Sequence, residues 1–525
     1  MTSMEYEKSN ISSYPCRYCN KTICWNKEKS VYCDLDTNKT HTCPNKLRNN
    51  AINTDDIRSN KFENLDKNTI EPKLEIDSED RLYDPSVYGK EEIVFEENYN
   101  NNENKEKNGN HVLNKETDLI TIVKQSIVEL FIDEYKIPHV AIKINDHTEI
   151  ISLNNRRFKY LLFKICNDYT KKPNTEKIES ILNVLKAEAE FSENIKKLNV
   201  RVAKTDDFSI YYDLTNSKWE SIKITTEGWE VDKKTPVLFK RYNNQQQQEI
   251  PAVYHKDDIF DRFIDLLNVK DEKNKLLLKC YMISLFIPEL SKPILILHGE
   301  QGSAKSTLQE LIKMLVDPSV LRTLIFPKDI NELIQKLAHN YIAYFDNISN
   351  IQYWISDVLC RAVTGSGFSK RELYTDDDDI IYTFKRCTGI NGINLGTLKA
   401  DLLDRSIIIQ LERIPKERRK KIAEIWNKFN DLKSELLGYI FHILVKVLQV
   451  KKQGGITLPD GFNRMADFEE FGEIISRCMG NEENRFLQAY QDNIGIQIDE
   501  AIDANPLSTV ILQFMNERNC WEGTA

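Results

Sequence analysis

Three observations predict a mixed α/β chain built on a parallel sheet. Residues 255–450 alternate helical periodicity with short apolar runs, as strands covered by helices do. One of those runs, ILIL at 294–297, leads directly into a glycine-bearing loop and then an amphipathic helix. Strands and helices mix before this block, and a helical segment follows a Gly454–Gly455 break.

The 525 residues carry 72 Lys and Arg against 81 Asp and Glu, for a net charge of −9, with 41% hydrophobic residues. At roughly 100–200 residues per domain, three or four units are expected. A wholly disordered chain is excluded by 22 Phe, 22 Tyr and 6 Trp. The acidic balance excludes a histone-like polycation but permits a local basic groove. The longest apolar stretches are Leu276–Ile287, broken by Lys279, and Leu436–Leu448, broken by His442 and Lys446. Both fall short of the roughly 20 residues that span a bilayer. The first ten residues lack the apolar core of a signal peptide. No membrane partner and a cytoplasmic setting are therefore expected. Five of the eleven cysteines precede residue 44 and six are scattered singly. That distribution argues for a reducing compartment and one local metal site.

The elements follow in order. Residues 1–46 are too poor in apolar side chains to bury a core unaided. Cys16-x-x-Cys19 and His41-x-Cys43 offer three thiolates and an imidazole, a set suited to tetrahedral Zn²⁺, with Cys24 and Cys33 as possible substitutes. The alternative is a set of free thiols. Tyr18, Trp25 and Tyr32 could stack on bases or pack against the knuckles. Residues 47–116, with the Asn/Glu/Lys-rich run 98–116, are expected to be a disordered linker. Residues 117–254 read as an α+β domain. A helix is predicted over 118–135, strands at HVAIKI and TEIISL, helices at RRFKYLLFKICNDY and KIESILNVLKAEAEF, and strands at SIYYDL, ESIKIT and GWEVD, with TTEG as a turn and 243–249 as a polar loop.

The segment PILILHGEQGSAKSTLQELIKML (293–315) carries the strongest chemical signal. It matches G-x-x-x-x-G-K-[ST] with one departure: Ala304 stands at the second glycine. In such a strand–loop–helix, backbone N–H groups at the helix N-terminus cradle phosphates. Gly299, Gly302, Ser303, Ala304, Lys305, Ser306 and Thr307 are the expected nucleotide-binding residues. Lys305 would reach the β and γ phosphates, and Ser306 would hold Mg²⁺. The chain is thus predicted to be a P-loop NTPase that takes ATP and Mg²⁺.

A second metal-side carboxylate is expected at Asp346, at the end of the apolar strand YIAYFDN (341–347). The next residue is Asn347, where many such ATPases carry a water-orienting Glu. The strand candidate TFKRCTGINGIN (383–394) ends near Asn391, a candidate γ-phosphate sensor, with Asn394 as competitor. Arg405 precedes the apolar strand SIIIQL, where ring ATPases present an arginine to the neighbouring subunit's γ-phosphate; the alternative is a surface Arg paired with Asp404.

In that order, GEQGSAKST, AYFDN, RAVTGSGFSKRELY (361–374), the strand to Asn391 and DRSIIIQL resemble a superfamily 3 helicase, the AAA+-related replicative helicases of viruses, plasmids and integrated elements. The likeness is greatest to helicase-type ATPases of prophage and archaeal mobile elements, and is strong over 280–450. It implies a channel hairpin on which Gly365, Lys370 and Arg371 fall, the two cations gripping DNA phosphates. The alternative is an ordinary surface loop. Residues 376–379, four Asp, are expected to form a solvated turn facing away from the channel. The resemblance also implies a hexameric ring, single-stranded or forked DNA, and replication proteins as partners. No primase pattern accompanies it.

The expected architecture is therefore a zinc module (1–46), a linker (47–116), an α+β domain (117–254), an AAA+-like ATPase core (255–450) and a helical segment (451–525). The last has residues like an incomplete winged helix, and a truncated reading frame is suspected. The expected function is an ATP-dependent helicase or translocase. The rivals are a P-loop ATPase acting as a regulatory or defence switch, and a DNA-binding scaffold.

Overall fold

The computed structural model describes residues 13–15, 22–26, 31–34, 115–170, 174–348, 351–371, 379–392, 398–459, 463–503, 511 and 514. Two compact units are present, Met1–Lys90 and Glu91–Ala525. The first holds an antiparallel meander of β1 (Ser13–Pro15), β2 (Thr22–Asn26) and β3 (Val31–Asp34), whose register sets Cys24 opposite Cys33. The expected zinc ligands Cys16, Cys19, His41 and Cys43 lie outside the described residues, as do 47–114 of the expected linker and nearly all of the winged-helix-like end.

The second unit opens with α1 (Lys115–Ser126), β4 (Ile127–Asp133), β5 (Pro138–Ile144), β6 (His147–Ser152), α2 (Arg156–Thr170), α3 (Thr175–Glu190) and β7 (Ile195–Lys196). The sheet order is β6-β5-β4-β7. The single helix predicted over 118–135 is corrected: it stops at Ser126, and IVELFID becomes β4. The β-branched and aromatic residues of that run pair antiparallel with β5, and Phe131 and Ile132 are buried. A short apolar run fits either period, so pairing with β5 decides it. Leu119, Val123, Val140, Phe158 and Leu185 share a core confined to this layer.

Next come β8 (Leu198–Asn199), β9 (Val202–Lys204), β10 (Ile210–Asp213), β11 (Ser221–Ile224), β12 (Trp229–Asp232) and β13 (Leu238–Phe239). β9–β12 form an antiparallel meander, and β13 pairs parallel with β8. The polar run 243–249 is irregular, but part of it is interior. Gln248 is buried and donates to the Tyr212 hydroxyl (2.7 Å) and the Leu315 carbonyl (2.7 Å). Its amide satisfies groups that would otherwise be stranded in the core.

After α4 (Ile259–Ile264) and α5 (Glu272–Ser284) the central sheet begins. Its elements are β14 (Ile294–His298), α6 (Lys305–Val316), α7 (Ile330–His339), β15 (Ile342–Ile348), α8 (Tyr353–Thr364), β16 (Phe368–Arg371), β17 (Asp379–Tyr382), β18 (Cys387–Gly392), α9 (Ala400–Leu403) and β19 (Ser406–Gln410). The central strands are all parallel, in the order β15-β18-β14-β19. Leu324 extends the β15 edge, donating to Tyr344 O (2.7 Å) and accepting from Asp346 N (3.0 Å). Leu295 and Leu297 of β14 pack on one face with α5, α6 and the long helix that follows β19, whereas Ile294 and Ile296 pack on the other with α7 and α8. Burial on both faces is why ILIL is uniformly apolar.

α10 (Ile422–Lys452) ends at Gln453, and Gly454 and Gly455 then take φ of 106° and 76°, backbone that favours glycine. α11 (Ala466–Cys478) and α12 (Arg485–Asp503) return to the sheet. Along the free edge of β19, Asn493 accepts from Ile408 N (3.0 Å) and donates to Ile408 O (2.7 Å), and Gln497 donates to Ser406 O (2.6 Å). Two side-chain amides thus occupy edge groups that would otherwise seek another strand. The predicted mixed α/β architecture with a parallel sheet is what the chain adopts.

Candidate nucleotide site

The loop between β14 and α6 turns tightly from strand into helix. At Gly299 (φ 144°) a Cβ would lie 2.1 Å from the Leu411 carbonyl, so no side chain fits. Gly302 (φ 84°) and Ala304 (φ 68°, ψ 29°) are both left-handed, which turns the chain into α6 at Lys305. Glycine usually supplies that conformation; alanine there costs about 1 kcal/mol. The departure from the sequence pattern thus changes the residue and keeps the turn. Lys305 Nζ donates to Gly299 O (2.6 Å), Glu300 O (2.9 Å) and Ser303 Oγ (3.3 Å), across the loop. Partial burial lowers its pKa, and the Asp346 carboxylate opposes that shift.

Ser306 Oγ donates to Asp346 Oδ1 at 2.9 Å, joining the first turn of α6 to the end of β15. Forty positions separate them in the chain. A hydroxyl and a carboxylate converging beside a lysine form the hard oxygen set that Mg²⁺ takes when it keeps several waters. These donors fit that ion.

Asn391, at the end of β18, is almost fully buried. Its Oδ1 accepts from Asn347 N (2.9 Å), and its Nδ2 donates to Gln309 Oε1 (2.7 Å). Asn347 is left-handed (φ 57°) at an irregularity in the β15–β18 pairing. Asn tolerates that conformation far better than most residues. Gln309, one turn beyond Lys305 on α6, is fully buried, and its Nε2 finds no partner among the described residues. Nothing in the motif spacing singles out Gln309; the only trace in the sequence is a polar residue four positions after Lys305, beside Leu308 and Ile312. Asn394 lies outside the described residues.

The far end of α6 is anchored by a buried charge cluster. Asp317 Oδ1 receives Arg201 Nε (3.0 Å), and its Oδ2 receives Lys313 Nζ (2.9 Å) and Ile342 N (3.1 Å). Arg201 also donates to Thr215 Oγ1 (2.7 Å) and Pro318 O (3.1 Å). Burial alone would raise the Asp317 pKa, but the two cations hold it at about 2. The cluster ties the preceding meander to both elements that carry the Ser306–Asp346 contact.

The other candidate residues lie away from this centre. Arg405 pairs within the chain with Asp401, both its carboxylate and its carbonyl (2.9 Å), rather than with Asp404. Arg464 takes Asp404 (3.0 Å) and shares Asp401 (2.7 Å). Lys370 and Arg371 lie on β16, which pairs antiparallel with β17, Lys370 opposite Ile380. Residues 361–364 of the expected hairpin segment are instead the last turn of α8, and Gly365 (φ 88°) caps it. The base of the β16–β17 pair is held by Phe368 stacked on Phe384 at 5.5 Å, and by Tyr135, whose hydroxyl donates to Thr383 O (2.6 Å).

The family described as the actinomycete integrative conjugative element replication protein matches residues 260–495, from α4 to within α12. The matched segment holds the loop, Asp346, Asn391 and Arg405, so the chain is similar to a replication protein of mobile elements, as the motif order implied. No curated protein matches the chain. Among solved structures, an apo form of the NrS-1 C-terminal region is 12% identical, with 77% of this chain and 83% of that chain covered and a TM-score of 0.37. JCV helicase bound to a small molecule is 13% identical, with 46% and 66% covered and a TM-score of 0.26. No helix among the described residues is long and apolar enough to cross a membrane.

Proposed function

We propose that this chain is an ATP-dependent DNA helicase or translocase of a replication apparatus, hydrolysing ATP at the subunit interfaces of a homo-oligomeric ring. The observation that carries this reading is the convergence of Lys305, Ser306 and Asp346 at one end of a parallel sheet. Backbone N–H groups at the start of α6 bind the polyphosphate, and Lys305 exchanges its carbonyl contacts for phosphate oxygens. Ser306 and Asp346 would hold Mg²⁺, which would supply positive charge to the phosphates. The Asn391 amide positions the end of β15 through Asn347 N. Arg405 leaves Asp401 to reach the next subunit. Lys370 and Arg371 on the β16–β17 pair contact DNA phosphates. The N-terminal set Cys16, Cys19, His41 and Cys43 holds one Zn²⁺, which elemental analysis of the purified chain would count.

The test is ATP turnover with and without single-stranded DNA. DNA-stimulated hydrolysis, lost in Lys305→Ala by roughly 10²–10³-fold, is expected. Hydrolysis indifferent to DNA would favour a regulatory or defence switch, and DNA binding without hydrolysis would favour a DNA-binding scaffold, the reading that Asn347 in place of a Glu motivates.

A further inference from the structure

The basic run from Arg413 to Lys421 was not assigned a role by the motifs. It contains Arg413, Lys416, Arg418, Arg419, Lys420 and Lys421 against one carboxylate, Glu417. All of these side chains are exposed, and among the described residues none of the six cations forms an ion pair. Six like charges in nine residues repel one another, so their placement asks for an anion.

The segment is fastened to the phosphate loop. Leu411 N donates to His298 O (2.8 Å), and Ile414 N donates to Gly302 O (3.2 Å). Asn268 Nδ2 bridges Ser303 O (3.0 Å) and Glu412 O (2.8 Å), and Lys270 pairs with Glu412. A 3₁₀ turn, Lys416–Arg418, then folds the chain back, and Arg419 Nε donates to Ile414 O (3.3 Å). A Cβ at Gly302 would lie 3.4 Å from Arg419 Nη2. The guanidinium therefore rests against the loop that would cradle the phosphates, with its Nη groups uncommitted to any carboxylate. Arg405, by contrast, is held by Asp401.

We infer that Arg419 is a second cation of the nucleotide site, acting in cis and binding the polyphosphate of a nucleoside di- or triphosphate from beside Gly302. This rests on the nucleotide-site reading above. A planar guanidinium suits phosphate oxygens, and a contact of this charge-assisted kind is the stronger class of hydrogen bond.

The experiment measures binding of ATP and ADP, and separately of a single-stranded oligonucleotide, by the full chain and three variants. Arg419→Gln keeps a polar donor, two bonds shorter, and removes the charge. It should weaken ATP and ADP about tenfold or more, leave the melting temperature and oligonucleotide affinity near wild type, and be partly relieved in Arg419→Lys. Arg418→Ala, one position away, should change nucleotide affinity less than about twofold. Wild-type nucleotide affinity in Arg419→Gln overturns the inference, as does an equal loss in Arg418→Ala, which would mean diffuse charge. Loss of oligonucleotide binding alone overturns it in favour of a nucleic-acid contact. If neither wild type nor Lys305→Ala binds nucleotide, the nucleotide-site reading itself falls, and this inference with it.

Discussion

Gln309 on α6 accepts a hydrogen bond from Asn391 on β18, Oε1 to Nδ2, at 2.7 Å inside the core. That bond fixes which end of the Asn391 amide faces Asn347, because Asn391 must then present its oxygen to the Asn347 N–H. Helix α6 and the end of β15, which carries Asp346, are thereby joined through a third strand.

Gln309→Leu should keep the volume of the site, lose the acceptor and free the Asn391 amide to rotate. An unsatisfied buried group costs about 1–3 kcal/mol. ATP affinity should stay within about twofold while the turnover number falls by roughly tenfold or more. Asn391→Ala should fall similarly, and the double variant should lose little more, as residues acting as one unit do. Additive losses would show that the two act independently.

Arg405 is expected to act between subunits. Arg405→Ala should bind ATP nearly normally and hydrolyse it poorly, and mixing it with Lys305→Ala should recover some activity, since mixed rings contain interfaces with an intact loop and an intact arginine. Size-exclusion light scattering would first establish assembly. An assembled mixture with no recovery would leave Arg405 as the partner of Asp401 alone.

The Asp317 cluster predicts an acid dependence. Its folded pKa of about 2 lies below the ordinary 3.8, so its stabilisation is fully present above pH about 4 and is lost as pH falls toward 2. The difference corresponds to about 2 kcal/mol. Asp317→Asn strands Arg201 and Lys313 and should cost about 3–5 kcal/mol at neutral pH. Thermal melts of both proteins from pH 7 down to pH 3 should show their gap narrowing. A constant gap would contradict the ionised cluster.

Lys370→Ala should leave basal ATP turnover near wild type and weaken single-stranded DNA binding uniformly across sequences. The salt slope should drop by about one counterion per engaged subunit. DNA-stimulated turnover should fall in parallel. Unchanged affinity and unwinding would make β16–β17 an ordinary surface hairpin.

The sequence by itself determined the local parts. Gly299, Lys305 and Ser306 are legible because a strand, a tight loop and a helix N-terminus need those residues at fixed short spacing. Asp346 is legible because a carboxylate follows an apolar run on the next strand. The parallel sheet follows from strands apolar on both faces. Tertiary structure alone decided the rest. Residues 127–133 became a strand because β5 lay beside them. Gln309 mattered because Asn391, 82 positions away, came within hydrogen-bond reach. Asn493 closed the edge of β19 from 85 positions away. The Arg413–Lys421 run belongs to no motif, and only the contacts of Ile414 and Asn268 bring it to the loop after β14. Periodicity and spacing report what a residue meets within a few positions along the chain. Side-chain amides and guanidinium groups take their roles from groups that only folding brings near.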